Sequence, residues 1–127
     1  MKSCSLINGL EKNIQIVGGA QFGLTCFGHK LVLEAWNIKK EHWLYVRGKD
    51  LRLSKLQNQL DDFLADRSIN ANEVKTIVID DWNKAYDDRQ KLRDKIHNFN
   101  PNIRLVLLNN EDDTVYFAGL NNNQYTL

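Results

Sequence analysis

The sequence predicts an α/β fold of the α+β kind, a mixed β-sheet with helices packed on it, and three observations carry that expectation. Val74, Ile77, Val78 and Ile79 form one short apolar run and Ile103 to Leu108 a second, with a charged stretch of helical periodicity between them. Two β-branched and leucine-rich runs joined by a helix read as a βαβ crossover, which requires a parallel strand pair beneath the helix. The third observation is the concentration of glycine before residue 50, at Gly9, Gly18, Gly19, Gly23, Gly28 and Gly48. It suggests turns between short strands and a β-rich N-terminal half.

Each element follows from local pattern. Asn13 to Val17 and Phe22 to Phe27 are strand candidates around Gly18-Gly19, Lys30 to Trp36 is apolar enough for another, and Trp43 to Arg47 is a short strand of Trp, Leu, Tyr and Val. Leu53, Leu56, Leu60, Phe63 and Leu64 recur at helical spacing, and Ser54 with Gln57 has the form of a capping box, so a helix is expected over Ser54 to Arg67. A second main helix is expected after Asp80-Asp81, whose carboxylates suit a helix start. Its buried stripe would be Ala85, Leu92, Ile96 and Phe99, and Pro101 would end it. Asn109 to Asp113 reads as a turn into Thr114 to Ala118, an antiparallel hairpin partner.

The chain's 127 residues fit a single globular domain with a core that needs no staple. Its 43% hydrophobic and 26% charged content argue against disorder. Met1 to Leu10 lacks the apolar centre of a signal peptide, and no stretch approaches a membrane span. Cys4 and Cys26 stand in no recognisable spacing and are expected to be reduced, which with the small, Asn- and Lys-rich style of the chain suggests a cytoplasmic, bacterial protein. The net charge of +1 hides a basic segment, with six Lys and Arg from Lys39 to Lys55, and an acidic tail carrying Glu111, Asp112 and Asp113.

Chemistry-bearing motifs are sparse. Asp80 and Asp81 end a strand where open α/β sheets place ligands, and Asp112 and Asp113 follow the last parallel strand on the same edge, so the four form an acidic alternative site for a small enzyme. The competing reading is that one Asp caps the helix and the other is solvated. His29, His42 and His97 match no metal pattern, and Cys26 with His29 in a strand would face opposite ways. The run from Gly18 to Gly23 fits neither phosphate-binding fingerprint and no helix follows it, which makes it a turn. No catalytic residue, metal site or cofactor is expected.

Two binding readings remain. Lys and Arg interleaved with Trp36, Trp43 and Tyr45 suit a single-stranded nucleic-acid module, with bases stacking on the aromatics. The preferred expectation is a non-enzymatic protein-binding protein, an immunity or antitoxin-type inhibitor of a cognate toxin such as a nuclease. Trp36, Trp43 and Tyr45 would anchor the partner, and Lys39, Lys40, Arg47 and Lys49 would steer an acidic one. The order of elements from Trp43 through Leu120 (strand, Gly48, helix, strand ending Ile79-Asp80, helix, strand, Gly119-Leu120) resembles the sulfate-transporter and anti-sigma-antagonist domains. That resemblance implies a phosphorylatable Ser or Thr opening the second helix, where this chain reads Trp82-Asn83-Lys84-Ala85-Tyr86-Asp87.

Overall fold

The computed structural model describes residues 13–17, 24–109 and 123–126, the last four by backbone alone. In chain order the elements are β1 (Ile14–Val17), α1 (Leu24–Lys39), β2 (His42–Arg47), α2 (Leu56–Asp66), β3 (Val74–Asp80), α3 (Arg89–Phe99), β4 (Arg104–Asn109) and β5 (Asn123–Thr126). The strands form one sheet in the order β2-β3-β4-β1-β5, and every described pairing is parallel. This is an α/β fold with the β3-α3-β4 crossover that the two apolar runs predict. The sheet is parallel throughout its described pairs rather than mixed. The expected hairpin strand, Thr114 to Ala118, falls outside the described residues, as do Cys4, Asp112 and Asp113.

The strand order dictates which face each helix covers. β1 lies beside β4, so α1 carries the chain from β1 to the far edge, whereas α2 and α3 step back one strand at a time. Crossovers of one hand then require α1 on one face and α2 and α3 on the other. Core composition agrees. Ile14, Ile16, Trp43, Val78, Val106 and Leu108 pack with Leu24, Leu31 and Ala35 of α1. Leu44, Val46, Ile77, Ile79, Leu105 and Leu107 pack with Leu56, Leu60 and Leu64 of α2 and Leu92 and Ile96 of α3. Successive strand residues therefore enter opposite cores, which explains why β3 and β4 read as unbroken apolar runs instead of alternating.

Among the described residues, the N-terminal half is not β-rich, and the main helices number three rather than two. Residues 24–39 form the longest helix, over segments read as strands at Phe22 to Phe27 and Lys30 to Trp36. Its buried stripe is Leu24, Gly28, Leu31 and Ala35, a helical spacing carried half by small residues, while Leu33, Trp36 and Ile38 lie exposed outside it. The apolar period is thereby erased from the sequence. Gly28 is small because α1 sits close to the sheet: a Cβ there would lie 3.0 Å from Leu108 Cδ1 and 3.1 Å from Tyr45 Cε2.

Helix starts also differ from expectation. No side-chain bond from Ser54 caps α2, which follows a 3-10 turn over Leu53–Lys55 with Lys55 at its cap position. α3 begins at Arg89, several residues beyond Asp80-Asp81, and Asp88 caps it by accepting the Lys91 N–H at 3.0 Å. The intervening chain forms a 3-10 turn at Trp82–Lys84 because Trp82 turns into the α2/α3 core. Ala85 packs beside that core from the loop, not from a helix. Asp81 enters this turn with φ 50, a left-handed conformation.

Gly28→Val should destabilise the chain by about 2–3 kcal/mol, since the branched side chain meets Leu108 and a tethered Tyr45 ring and also has lower helix propensity than alanine. Chemical denaturation measures this, and unchanged stability would show that α1 can ride higher on the sheet.

Candidate functional site

The carboxyl ends of the parallel strands bring the chemistry-bearing side chains of α1, β2 and β3 together. Asp80, the last residue of β3, is buried on the face that carries α1. Its Oδ2 accepts the Thr25 hydroxyl at 2.7 Å and the Tyr45 hydroxyl at 2.5 Å, and its Oδ1 accepts the Asp81 backbone N–H at 2.9 Å. His29 stacks on the Tyr45 ring at 4.0 Å. Burial, then the hydrogen bond to Asp80 and its charge, push the Tyr45 phenol well above its ordinary value. The phenol therefore stays a donor.

This geometry revises the acidic site. Neither Asp80 nor Asp81 caps α3. Asp80 spends its oxygens on three protein donors and lies against Thr25 in the first turn of α1, where the helix dipole favours a negative charge. Asp81 turns away and pairs with Arg47, Nη2 to Oδ2, at 3.7 Å. No group of three or more His, Cys, Asp or Glu among the described residues is arranged to hold a metal ion. Asp80 acts as a fastener between layers.

The glycine-rich run is followed directly by α1, contrary to the expectation that no helix follows it. The same correction applies to Cys26 and His29, which lie three apart on a helix and share a side rather than opposing across a strand. The thiol is exposed, and the imidazole is engaged with Tyr45.

The seven residues predicted to bind a partner do not form one surface. Trp36, Lys39 and Lys40 sit where α1 ends, near the start of β2, with Trp36 stacked on His42 at 4.8 Å and the Lys40 ammonium 5.3 Å from the Trp36 ring. Arg47 and Lys49 lie at the opposite end of β2, about 17 Å away at the rise of an extended strand. Trp43 is buried between these ends, donates its indole N–H to Glu41 at 3.0 Å and has the Arg104 guanidinium 5.8 Å from its ring. Burial opposes ionisation of Glu41, but the bonds from Trp43 and Arg104 outweigh it and hold the carboxyl below its usual range. Trp43 cannot serve as an anchor or as a base-stacking platform, and Tyr45 is engaged by Asp80 and His29.

Leu33, Ile38 and Tyr86 are exposed side chains that sequence reasoning misses, whereas Trp36 is among its candidates. Leu33, 61% exposed, lies one turn before Trp36, 43% exposed, on the outward side of α1. Tyr86, 77% exposed, lies under the Arg52 guanidinium at 4.7 Å in the loops beyond β2 and β3. A helical reading of residues 24–39 would have exposed the first. Tyr86 was hidden by the expectation of a helix across residues 82–88.

No family model matches the chain, and no curated protein is significantly similar to it. Among the described residues, no helix is long and apolar enough to cross a membrane.

A phenol whose folded pKa exceeds its unfolded value contributes stability that is fully present below the unfolded value of about 10 and is lost as pH rises beyond it. Wild-type stability should therefore fall with alkalinity in that range, and Tyr45→Phe should remove this increment while costing about 1 kcal/mol at neutral pH. Spectrophotometric titration checks the assignment: the variant must lose the latest-ionising tyrosine. Asp80→Asn should cost about 1–3 kcal/mol in denaturant unfolding, because an amide cannot accept from Thr25, Tyr45 and the Asp81 N–H at once.

Proposed function

We propose that this protein works by binding another protein through the outward side of α1, as an inhibitor of the immunity or antitoxin type. The observation that carries the reading is the pair Leu33 and Trp36, two large apolar side chains exposed on one side of a helix whose buried stripe is already complete, Trp36 with its ring stacked on His42. At 100° per residue the two lie about 60° apart on the helix surface. Tryptophan is the residue type most concentrated in binding hot spots, and a leucine beside it supplies apolar area that a partner can cover. Lys39 and Lys40 at the end of the helix give the approach an electropositive edge, which suits an acidic partner and speeds encounter with it.

A second reading rests on Tyr86. An exposed tyrosine stacked with Arg52, with Lys49 in the neighbouring turn and Arg47 at the end of β2, is the residue combination that holds single-stranded nucleic acid. On this reading nucleic acid would lie along the carboxyl edge, away from Trp43 and Tyr45.

The test is affinity capture on the full chain from its native lysate, with nuclease treatment and a high-salt wash, comparing wild type with Leu33→Asp and Trp36→Ala. One stoichiometric partner should survive both treatments on wild type and be lost from both variants, with Trp36→Ala weakening binding by roughly 30-fold or more, the scale of a 2 kcal/mol hot spot. Both substitutions are at the surface and should leave stability within about 0.5–1 kcal/mol. Retention of the partner by both variants would refute the assignment. Recovery of nucleic acid alone, released by salt and by Tyr86→Ala, would favour the second reading.

A further inference from the structure

On the face opposite α1, the adjacent strands β1 and β4 hold buried polar atoms without partners, Asn109 at the carboxyl end of β4 and Gln15 two residues deeper in β1. Gln15 of β1 is 2% exposed and Asn109 of β4 is 0% exposed. They alternate with Ile14, Ile16, Val106 and Leu108, which pack under α1, so both lie on the face that carries α2 and α3. Asn109 is in register with Val17 and Gln15 with Leu107, which makes the two amides diagonal neighbours across the β1–β4 ladder. The turn at Trp82–Lys84 packs against β4 on this face and brings a third polar group, the buried Trp82 indole.

Gln15 Oε1, both polar atoms of the Asn109 carboxamide and Trp82 Nε1 are buried and make no hydrogen bond. Buried donors and acceptors left unmade are destabilising, so an apolar residue at Asn109 would suit the surrounding core better than the amide does. Stability alone therefore does not account for this concentration. Its position suggests what does. β1 sends the chain onto the α1 face while β2 and β3 send it onto the other, and sheets wound in both directions bind ligands outside the carboxyl ends of strands where the winding changes.

We infer that Asn109, Gln15 and Trp82 are the recognition groups of a small-molecule site for a planar, uncharged, amide-type edge, as presented by a nucleobase or a carboxamide. None of the three side chains carries a charge, and a buried phosphate or carboxylate would find no counter-charge on them. The Asn109 carboxamide offers a donor and an acceptor in one plane, the pairing that reads an adenine edge. The indole N–H adds a donor, and Gln15 Oε1 adds an acceptor. This site is on the opposite layer from the Leu33–Trp36 surface and stands or falls independently of it.

The test uses the full chain and four probes, adenine and uracil for nucleobases, nicotinamide and acetamide for carboxamides. Binding is followed by NMR through the Trp82 indole N–H resonance, identified by its loss in Trp82→Phe. At least one probe should shift that resonance saturably, and Asn109→Leu should weaken it tenfold or more while raising the thermal midpoint. The family of the winning probe separates the two sources. If Asn109→Leu perturbs folding, Gln15→Met with the same readout replaces it. The inference is overturned if no probe moves the Trp82 resonance, if Asn109→Leu and Gln15→Met bind as wild type does, or if an experimental structure shows ordered water satisfying all four atoms.

Discussion

Because α1 must carry the chain across two strands to the far edge of the sheet, the closeness of its seat governs the layer above. Two devices set it. Gly28 leaves room for Tyr45 and Leu108 directly beneath the helix, and Asp80 ties Thr25 of α1 and Tyr45 of β2 to the end of β3 through one carboxylate. The glycine permits approach and the carboxylate fixes position along the axis. Glycine within a helix costs about 1 kcal/mol relative to alanine, which packing of Leu24, Leu31 and Ala35 has to offset.

The same seat explains why Tyr45 and Trp43 are poor candidates for recognition although their residue types favour it. In an edge strand of a two-sided sheet, every second residue still points into a core. Trp43 and Tyr45 point beneath α1, leaving Arg47 as the exposed side chain of the strand. Leu33 and Trp36 lie on the back of the helix that covers them, and Tyr86 lies in a loop beyond the sheet.

How much of this was legible in the sequence depended on whether the local signal carried its own period. β3, α2 and β4 were readable because Val74 to Ile79, Leu56 to Leu64 and Ile103 to Leu108 display apolar residues in the pattern each element buries. α1 was not, since Gly28 and Ala35 occupy core positions with almost no hydrophobic signature while Leu33, Trp36 and Ile38 add apolar residues on the wrong side. The α3 boundary failed for a different reason: Asp80 and Asp81 have the chemistry of a helix cap, but Trp82 diverts the chain into the core before a helix can start. At the carboxyl edge, strand ends alone place Asp80, but not its ties to Thr25, Tyr45 and the Asp81 N–H. Which groups turn inward there, and the diagonal placement of Gln15 and Asn109, depend on β1 lying beside β4, a long-range fact that no local pattern encodes.

That adjacency also bears on how the chain reaches its native state. β2, α2, β3, α3 and β4 are contiguous in sequence and pair with their immediate successors, whereas β1 meets β4 only across a separation such as the 92 residues between Asn13 and its bonded partner Leu105. Closing so long a loop is entropically slow relative to local crossovers, so contact order places insertion of β1 after assembly of the β2-β3-β4 unit. Until then β4 presents an open row of amides and carbonyls, the template on which a strand from another molecule can add. The first described strand thus covers the open edge of β4 before β5 extends the sheet, and the interval before it docks is when this protein is most exposed to aggregation.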